Sequence, residues 1–407
     1  MPVTFRRRLE RFHNEHQLLI DLLLLALVLR LVYLNAIATL VFDETFYVPA
    51  AQQILATGID PNVEHPPLVK LILAGSLALF GDNPLTWRLP SVVFGLAGMA
   101  FFYFIVLELS KSKKLAAFSA ALLGFDPLHV LMSRTGMLDI FMLTFAFGGC
   151  YFLLKRNWTW GGVLFGLGIA SKWPALLPFV AVSAFLFLRK KIRPVDFGYT
   201  LLVMGLVYLL VYAPFILVQG PSEWLSSQTY YIGKMTTMPA ASKLTSTAAQ
   251  WIFLQKPVWF ARDKPDFHVP DDMLWLTNLF GAAPALGVVA FGNPISWIPG
   301  MLALVWLALN KTKKLSGVRL FSLLWFACTY LPFLLIPRTH TAFYYMLLIF
   351  PAYMLAAAQF AVEKKINKWY AVAFGLSVLF FLPLVVGLPA PQEYYQLLKP
   401  LIGEYVP

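Results

Sequence analysis

RLPSVVFGLAGMAFFYFIVLELSKSKK, residues 88–114, is the stretch on which the fold turns. From Leu89 to Leu109 only Glu108 is charged, and the run then stops on Lys111, Lys113 and Lys114. A bilayer core of about 30 Å takes about 20 apolar residues as a helix, and a helix satisfies its own backbone where no water can. The pattern recurs along the chain. Basic clusters at Arg6–Arg11, Lys155–Arg156, Arg189–Arg193, Lys311–Lys314 and Lys364–Lys368 lie between apolar runs. The 407 residues are 59% hydrophobic and 13% charged, where a soluble domain carries about a quarter charged. Most of the surface must therefore face hydrocarbon. The net charge of +12 falls into short loops, as the positive-inside rule produces, and not into a nucleic-acid patch. Cys150 and Cys328 both sit in apolar runs, which excludes a disulfide framework and any metal-ligand spacing of cysteines.

With the basic clusters inside, the chain threads as an all-α polytopic protein of the plasma membrane. Span one covers about 18–41, retained because its apolar run is long and no small-residue cleavage site follows. Leu68 to Phe80 is short and opens on Pro66 and Pro67, which suits a helix lying in the interface. Crossings follow near 88–109, 115–132, 137–154, 158–173, 175–188, 197–218, 293–310, 318–336, 341–362 and 369–388. That makes about eleven, with the N-terminus cytoplasmic and the C-terminus external. Three regions result: a transmembrane module over 1–218 with its first external loop at 42–87, an external region over 219–292, and C-terminal helices with an external tail over 293–407. No inverted or parallel repeat is visible, which counts against a transporter or flippase.

Charges near hydrocarbon are costly and default to function. Outside the inner clusters they gather at external ends of spans: Arg30, Asp43, Glu44, Glu64, His65, Lys70, Arg88, Arg134, Asp139, Lys172 and Arg338. One carboxylate to take a proton from an acceptor hydroxyl, with cations to hold a departing phosphate, is a complete inventory for glycosyl transfer from a lipid phosphate. A hydrolytic glycosidase would need two carboxyls in paired roles. The bland readings stand beside these. Asp43 could cap the following helix, His65-Pro66-Pro67 could be only a turn opening a helix, and Lys172 could only snorkel.

The order of Phe42-Asp43-Glu44, His65-Pro66-Pro67-Leu68-Val69-Lys70, Arg88-Leu89-Pro90-Ser91, Ser133-Arg134 with Leu138-Asp139, and Ser171-Lys172-Trp173 resembles the protein O-mannosyltransferase family. Pro257-Val258-Trp259-Phe260, Gly292-Asn293-Pro294-Ile295-Ser296-Trp297 and Arg338 before Tyr344-Tyr345 are similar to its later signatures. The resemblance implies a GT-C glycosyltransferase fold using dolichyl- or polyprenyl-phosphate mannose and transferring the sugar, with inversion, to Ser or Thr of secreted proteins at the external face. It implies Asp43 as catalytic base with Glu44 beside it. Arg30, Arg88, Lys172 and Arg338 would line the donor phosphate or the carboxylate pair. His65, Pro66, Pro67, Lys70, Arg134, Asp139 and Asn293 would shape the site. The missing room for a β-trefoil insertion points to the prokaryotic type, and Tyr344 stands where the family often has His.

A lipid-directed transferase of the aminoarabinose type is the rival within the fold; His65-Pro66-Pro67 and Gly292-Asn293-Pro294 favour the protein-directed branch. Expected partners are a lipid-linked sugar donor, a protein or peptide acceptor and membrane lipids, with no nucleic acid. No cofactor is firmly implied and no metal ligand is assigned, although Asp43, Glu44 and Asp139 leave a divalent cation open. The sequence is silent on oligomeric state.

Overall fold

The computed structural model describes residues 3–35, 37–237, 246–251, 257–262, 287–310, 316–335, 342–388 and 390–402. The chain opens with α1 (Val3–Leu31), whose helical geometry breaks at His16. This helix stops at Leu31, short of the expected 41, and an irregular loop leads to α2 (Glu44–Thr57), which closes on a left-handed Gly58. The short α3 (Leu68–Phe80) starts directly after Pro66-Pro67.

The run that opened the sequence reading is α4 (Pro84–Ser110). Its start is over-determined: the Asn83 side chain accepts the N–H groups of Leu85 and Thr86, Thr86 returns a hydroxyl to the Asn83 N–H, and Pro84 fills the first position. The expected single crossing over 115–132 is two helices, α5 (Lys113–Gly124) and α6 (Pro127–Met132). The break has a local cause. Asp126 is extended and caps α6 through the Leu128 N–H at 3.0 Å, while Pro127 cannot continue the ladder of α5.

Then come α7 (Leu138–Leu154), α8 (Trp158–Ser171), a 3-10 turn at Trp173–Ala175, α9 (Leu176–Leu188) and α10 (Pro194–Gln219). The region expected outside the bundle contributes α11 (Pro221–Thr237), α12 (Ala248–Trp251) and an antiparallel pair, β1 (Val258–Arg262) with β2 (Gly287–Ala290). The chain returns through α13 (Pro294–Leu309), α14 (Gly317–Leu334), α15 (Ala342–Glu363), α16 (Asn367–Val386) and the terminal α17 (Gln392–Ile402).

Among the described residues five helices are long and apolar enough to cross a bilayer: α4, α10, α14, α16 and the Tyr345–Glu363 part of α15. Shorter apolar helices fill the gaps between them, including α3, α7 and α13. The bundle has a definite inside. The apolar window of α15 is 83% buried against 17% for α10, whose Leu210 and Leu217 stand outward as lipid-facing side chains do. Around this axis α13, α14 and α5 pack on α15, while α4, α7, α8 and α10 form a second layer in contact order.

Candidate active site

Glu44 opens α2 and is fully buried. Its Oε1 accepts the Arg88 Nε–H at 3.0 Å and the Gly136 N–H at 2.9 Å; its Oε2 accepts the second Arg88 donor at 3.0 Å and the Val41 N–H at 3.0 Å. Arg88, in the second turn of α4, spends its remaining N–H groups on the carbonyls of Leu34, Ile37 and Thr39, at 2.8–3.0 Å. All five guanidinium donors are thus engaged. Arg88 thus holds Glu44 and the three carbonyls with every donor it has. The pair fixes the whole loop between α1 and α2.

Asp43 lies next to this clamp and is only half-buried. Its side chain makes no cap bond to α2, so it is not there as a helix cap. The Tyr47 hydroxyl stands 3.5 Å from its Oδ2, at the outer limit of a hydrogen bond. Phe42, just before it, has a left-handed φ of 45°, a conformation that costs a non-glycine residue about 1–3 kcal/mol. Its ring stacks on Phe260 of β1, centroids 4.8 Å apart and planes 6° from parallel.

Two further buried cations sit beneath. Arg134 donates to the carbonyls of Leu29 at 3.0 Å and Arg30 at 2.6 Å, at the C-terminal end of α1, and to that of Val386 at the end of α16. A cation there answers the unpaired carbonyls and the negative pole of each helix. Arg30 donates to the carbonyls of Ala26 and Gly124 and contacts the His129 Nδ1 at 2.9 Å. It threads past Gly95, where a Cβ would fall 2.2 Å from the Ser133 hydroxyl; only glycine lets α4 and α6 close over the guanidinium. Three residues beyond Gly136, Asp139 takes Lys172 through both oxygens, at 2.8 and 3.1 Å, joining α7 to the end of α8. Four of the expected residues (Arg30, Glu44, Arg88 and Arg134) therefore bind the end of α1 and the loop that follows it, with Asp43 beside Glu44 and the Asp139–Lys172 pair on the segment that follows Gly136.

Lys70 belongs elsewhere. It pairs with Asp60 and donates to the carbonyls of Asn62 and His65, folding the loop between α2 and α3 around itself. Burial pushes the Asp60 carboxyl above the usual carboxylate range, and the Lys70 ammonium pulls it part of the way back. The loop brings the His65 ring edge-on to Tyr47, 5.9 Å away, one turn after Asp43. On its other side His65, with Asp60, Tyr212, Gln219, Glu223 and Trp224, lines a small open cleft beside the join of α10 and α11. Asp43 does not line this cleft; His65 and Tyr47 stand between. Pro66 and Pro67 fix the start of α3.

Asn293 stands apart from these residues. Its side chain caps α13 at Ile295, with Pro294 in the first position, and donates to Ser377 on α16. The glycine before it is required, since a Cβ at Gly292 would meet the Trp297 ring at 2.2 Å. Arg338 lies outside the described residues, as do the side chain of Tyr344 and the Lys311–Lys314 loop. Nor do Asp43, Glu44 and Asp139 suit a divalent cation, because Arg88 and Lys172 already occupy the Glu44 and Asp139 oxygens. Among the described residues no three His, Cys, Asp or Glu side chains gather as metal ligands.

Sequence reasoning passed over Asp126, His129, Gly136 and Tyr47. Asp126 is buried and accepts the N–H of Asn293 at 3.1 Å and the Ser296 hydroxyl at 3.0 Å besides capping α6. An Asp-Pro pair inside an apolar run was the available signal for it.

A helical membrane bundle with buried charges around the end of α1 defines the class, and solved structures of that class match almost the whole chain. The S. cerevisiae protein O-mannosyltransferase Pmt1-Pmt2 complex bound to the sugar donor superposes with a TM-score of 0.66 at 13% identity, covering 95% of this chain and 92% of that one. ArnT from Cupriavidus metallidurans in the apo state gives 0.60 at 15%, covering 95% and 66%. These likenesses establish a shared GT-C-type fold. The family model described as dolichyl-phosphate-mannose-protein mannosyltransferase matches residues 64–217. Curated relatives named polyprenol-phosphate-mannose–protein mannosyltransferase are 28% identical over 255 residues in Mycolicibacterium smegmatis, covering 48% of each chain, and 29% over 265 residues in Mycobacterium tuberculosis, covering 51% of this chain and 49% of that one. The chain spans about half the length of these curated relatives. Over these stretches the chain is similar to the protein O-mannosyltransferases.

Proposed function

We propose that this protein is an inverting glycosyltransferase that moves mannose from a polyprenyl- or dolichyl-phosphate carrier to Ser or Thr hydroxyls of proteins at the external membrane face. The observation that carries the reading is the contrast between two adjacent carboxylates. Glu44 has every oxygen occupied and serves to hold the loop, whereas Asp43 is half-buried, off the helix cap and preceded by a strained residue. A left-handed residue directly before Asp43 is compatible with a side chain held in place for chemistry.

In the reaction the acceptor hydroxyl attacks C1 of the sugar as its proton passes to the Asp43 carboxylate. The bond from C1 to the phosphate oxygen breaks with its electron pair going to the phosphate, which leaves as an anion and needs no acid. Cations hold that charge; Lys172, paired with Asp139, and Arg338 are assigned this part. Arg88, Arg30 and Arg134 keep the end of α1 and the loop after it rigid so that the site does not reorganise as charge moves. His65 and the cleft beside α10 and α11 are assigned to one end of the acceptor or sugar. The topology is the one read from the basic clusters, about eleven crossings with the N-terminus inside and the C-terminus outside. The catalytic loop at 42–87 belongs to the transmembrane module over 1–218, 219–292 is an external loop region, and 293–407 supplies the C-terminal transmembrane helices and an external tail.

The test is transfer from radiolabelled polyprenyl-phosphate mannose with a Ser/Thr peptide and a lipid A acceptor offered together. Peptide labelling that Asp43→Asn abolishes, with donor binding retained, is expected. Labelling of lipid alone would move the protein to the lipid-directed branch that its likeness to ArnT keeps in view. Donor binding lost in parallel with transfer would make Asp43 a binding group and remove it as base.

A further inference from the structure

Pro257-Val258-Trp259-Phe260 has no part in the reaction as assigned, yet two of its rings join distant pieces of the fold. Trp259 lies against Tyr395 of α17, ring centroids 6.4 Å apart and planes 34° from parallel. Phe260 stacks on Phe42, the residue directly before Asp43. The pairing of the strands shows how neighbouring rings reach separate partners. Trp259 pairs with Val289 and Ala261 with Val288, so Phe260 is the extra residue of a bulge. A bulge of this kind re-aims a side chain.

Trp259 is closely fitted where it meets α17. A Cβ on Gly287 of β2 would fall 2.4 Å from the Trp259 ring and 3.3 Å from Cε1 of Tyr395. Tyr395 is fully buried, and Tyr394 beside it donates its hydroxyl to the Phe380 carbonyl of α16 at 2.7 Å. The tyrosine pair thus ties α17 both to the bundle and to the strand. A two-stranded ribbon is marginally stable by itself, so it takes its position from what it packs on. β2 packs on α16; for β1 a corresponding support is Tyr395 against Trp259. Arg88 clamps the catalytic loop at Leu34, Ile37 and Thr39 and again at Glu44, and Phe260 meets it between those points.

We propose that Tyr395 is a positioning residue for Asp43, given Asp43 as the base. Through Trp259 and the bulged Phe260 it sets where Phe42 lies, and hence where the neighbouring carboxylate points. Tyr395 itself touches neither sugar nor acceptor. Its removal loosens the base and leaves the groups assigned to the donor phosphate as they are, so the effect falls on turnover and not on donor binding.

The test is the mannose transfer assay on the full chain carrying Tyr395→Ala, Tyr395→Phe, or Tyr395→Ala combined with Phe260→Ala. Tyr395→Ala is expected to lower kcat roughly ten-fold with donor KM unchanged. Tyr395→Phe, which keeps the ring, is expected to retain most of the wild-type kcat. Residues that act through one contact are not additive, so the double variant is expected to fall no further than the slower single one. G287A crowds Trp259 and opens no cavity at Tyr395, and it is expected to lower kcat in the same way. Unchanged kcat in Tyr395→Ala or in G287A, or a double variant whose loss is the product of the two single losses, would overturn the proposal. Hydrogen exchange over residues 37–47 is read without any transfer. Faster exchange there in Tyr395→Ala supports the link from α17 to the loop, and faster exchange confined to 390–402 sinks it. Normal transfer by Asp43→Asn would instead remove the base assignment, an outcome that the exchange measurement does not share.

Discussion

Replacing Glu44 with Gln would leave the Arg88 guanidinium buried beside a group that carries no charge. Breaking a buried ion pair on one side costs about 3–5 kcal/mol, so E44Q is expected to lower the unfolding temperature and to release the loop before α2. Asp43→Asn changes a half-buried group outside that clamp and should leave the unfolding temperature within a degree or two while removing transfer, a ΔΔG within about 0.5 kcal/mol. Thermal unfolding in one detergent, read beside the transfer assay, separates the two. An E44Q protein as stable as wild type would show that Arg88 is held by the carbonyls of Leu34, Ile37 and Thr39 alone. The sequence made both acids visible as a costly pair, but it could not divide their labour. That division rests on Gly136 and Val41, whose backbone N–H groups reach Glu44 from 92 and 3 residues away, and no residue type announces a backbone donor.

At the scale of elements, β1 reaches the loop before α2 through the stacked rings of Phe42 and Phe260. An aromatic pair contributes about 0.5–1.5 kcal/mol beyond its buried area, which offsets part of the roughly 1–3 kcal/mol cost of the left-handed Phe42. Phe260→Ala is therefore expected to lower kcat roughly ten-fold or less with little change in donor KM, and Phe260→Tyr to restore most of it. A KM rise with unchanged kcat would place Phe260 at a binding surface instead. A second junction lies at Asp126, which ties the start of α6 to the start of α13. Removing a cap costs about 0.5–2 kcal/mol and orphaning a buried donor about 1–3 kcal/mol, so Asp126→Ala, which removes the cap of α6 and the acceptor of the buried Asn293 N–H, should lower stability by about 1.5–5 kcal/mol in the unfolding assay. The apolar character of the long helices was legible from the chain, as were the proline-marked starts of α3 and α13, but α4 and α10 start at Pro84 and Pro194, ahead of the expected 88 and 197. The split of 115–132 was not, because α5 and α6 are both buried and apolar and only Asp126 interrupts them. The end of α1 was also hidden. Residues 32–41 are as hydrophobic as the helix before them, and they leave it because the Arg88 and Arg134 side chains claim the carbonyls of this turn.

For the whole molecule, sidedness turns on α3. At 13 residues it would span only about 20 Å at 1.5 Å per residue, too short for a hydrocarbon core of about 30 Å, and its buried face packs on α2 and α4. If α3 lies in the interface, the loop before it and the basic loop after α4 are on opposite sides; if it crosses, they share a side. Three exposed positions decide this: Ala56 on α2, Lys114 at the start of α5 and Gln396 on α17. Each is replaced singly by Cys in a chain lacking Cys150, which is buried, and Cys328, which is half-buried, and intact cells are treated with a membrane-impermeant maleimide. Labelling of A56C and Q396C from outside, and of K114C only after permeabilisation, is expected from an external active site and an external C-terminus. A56C and K114C reacting from the same side would make α3 a crossing helix and invert every later loop. A56C and K114C exchanged would keep the fold but turn Asp43 toward the cytoplasm, where a lipid-linked donor would have to be met on the inner leaflet.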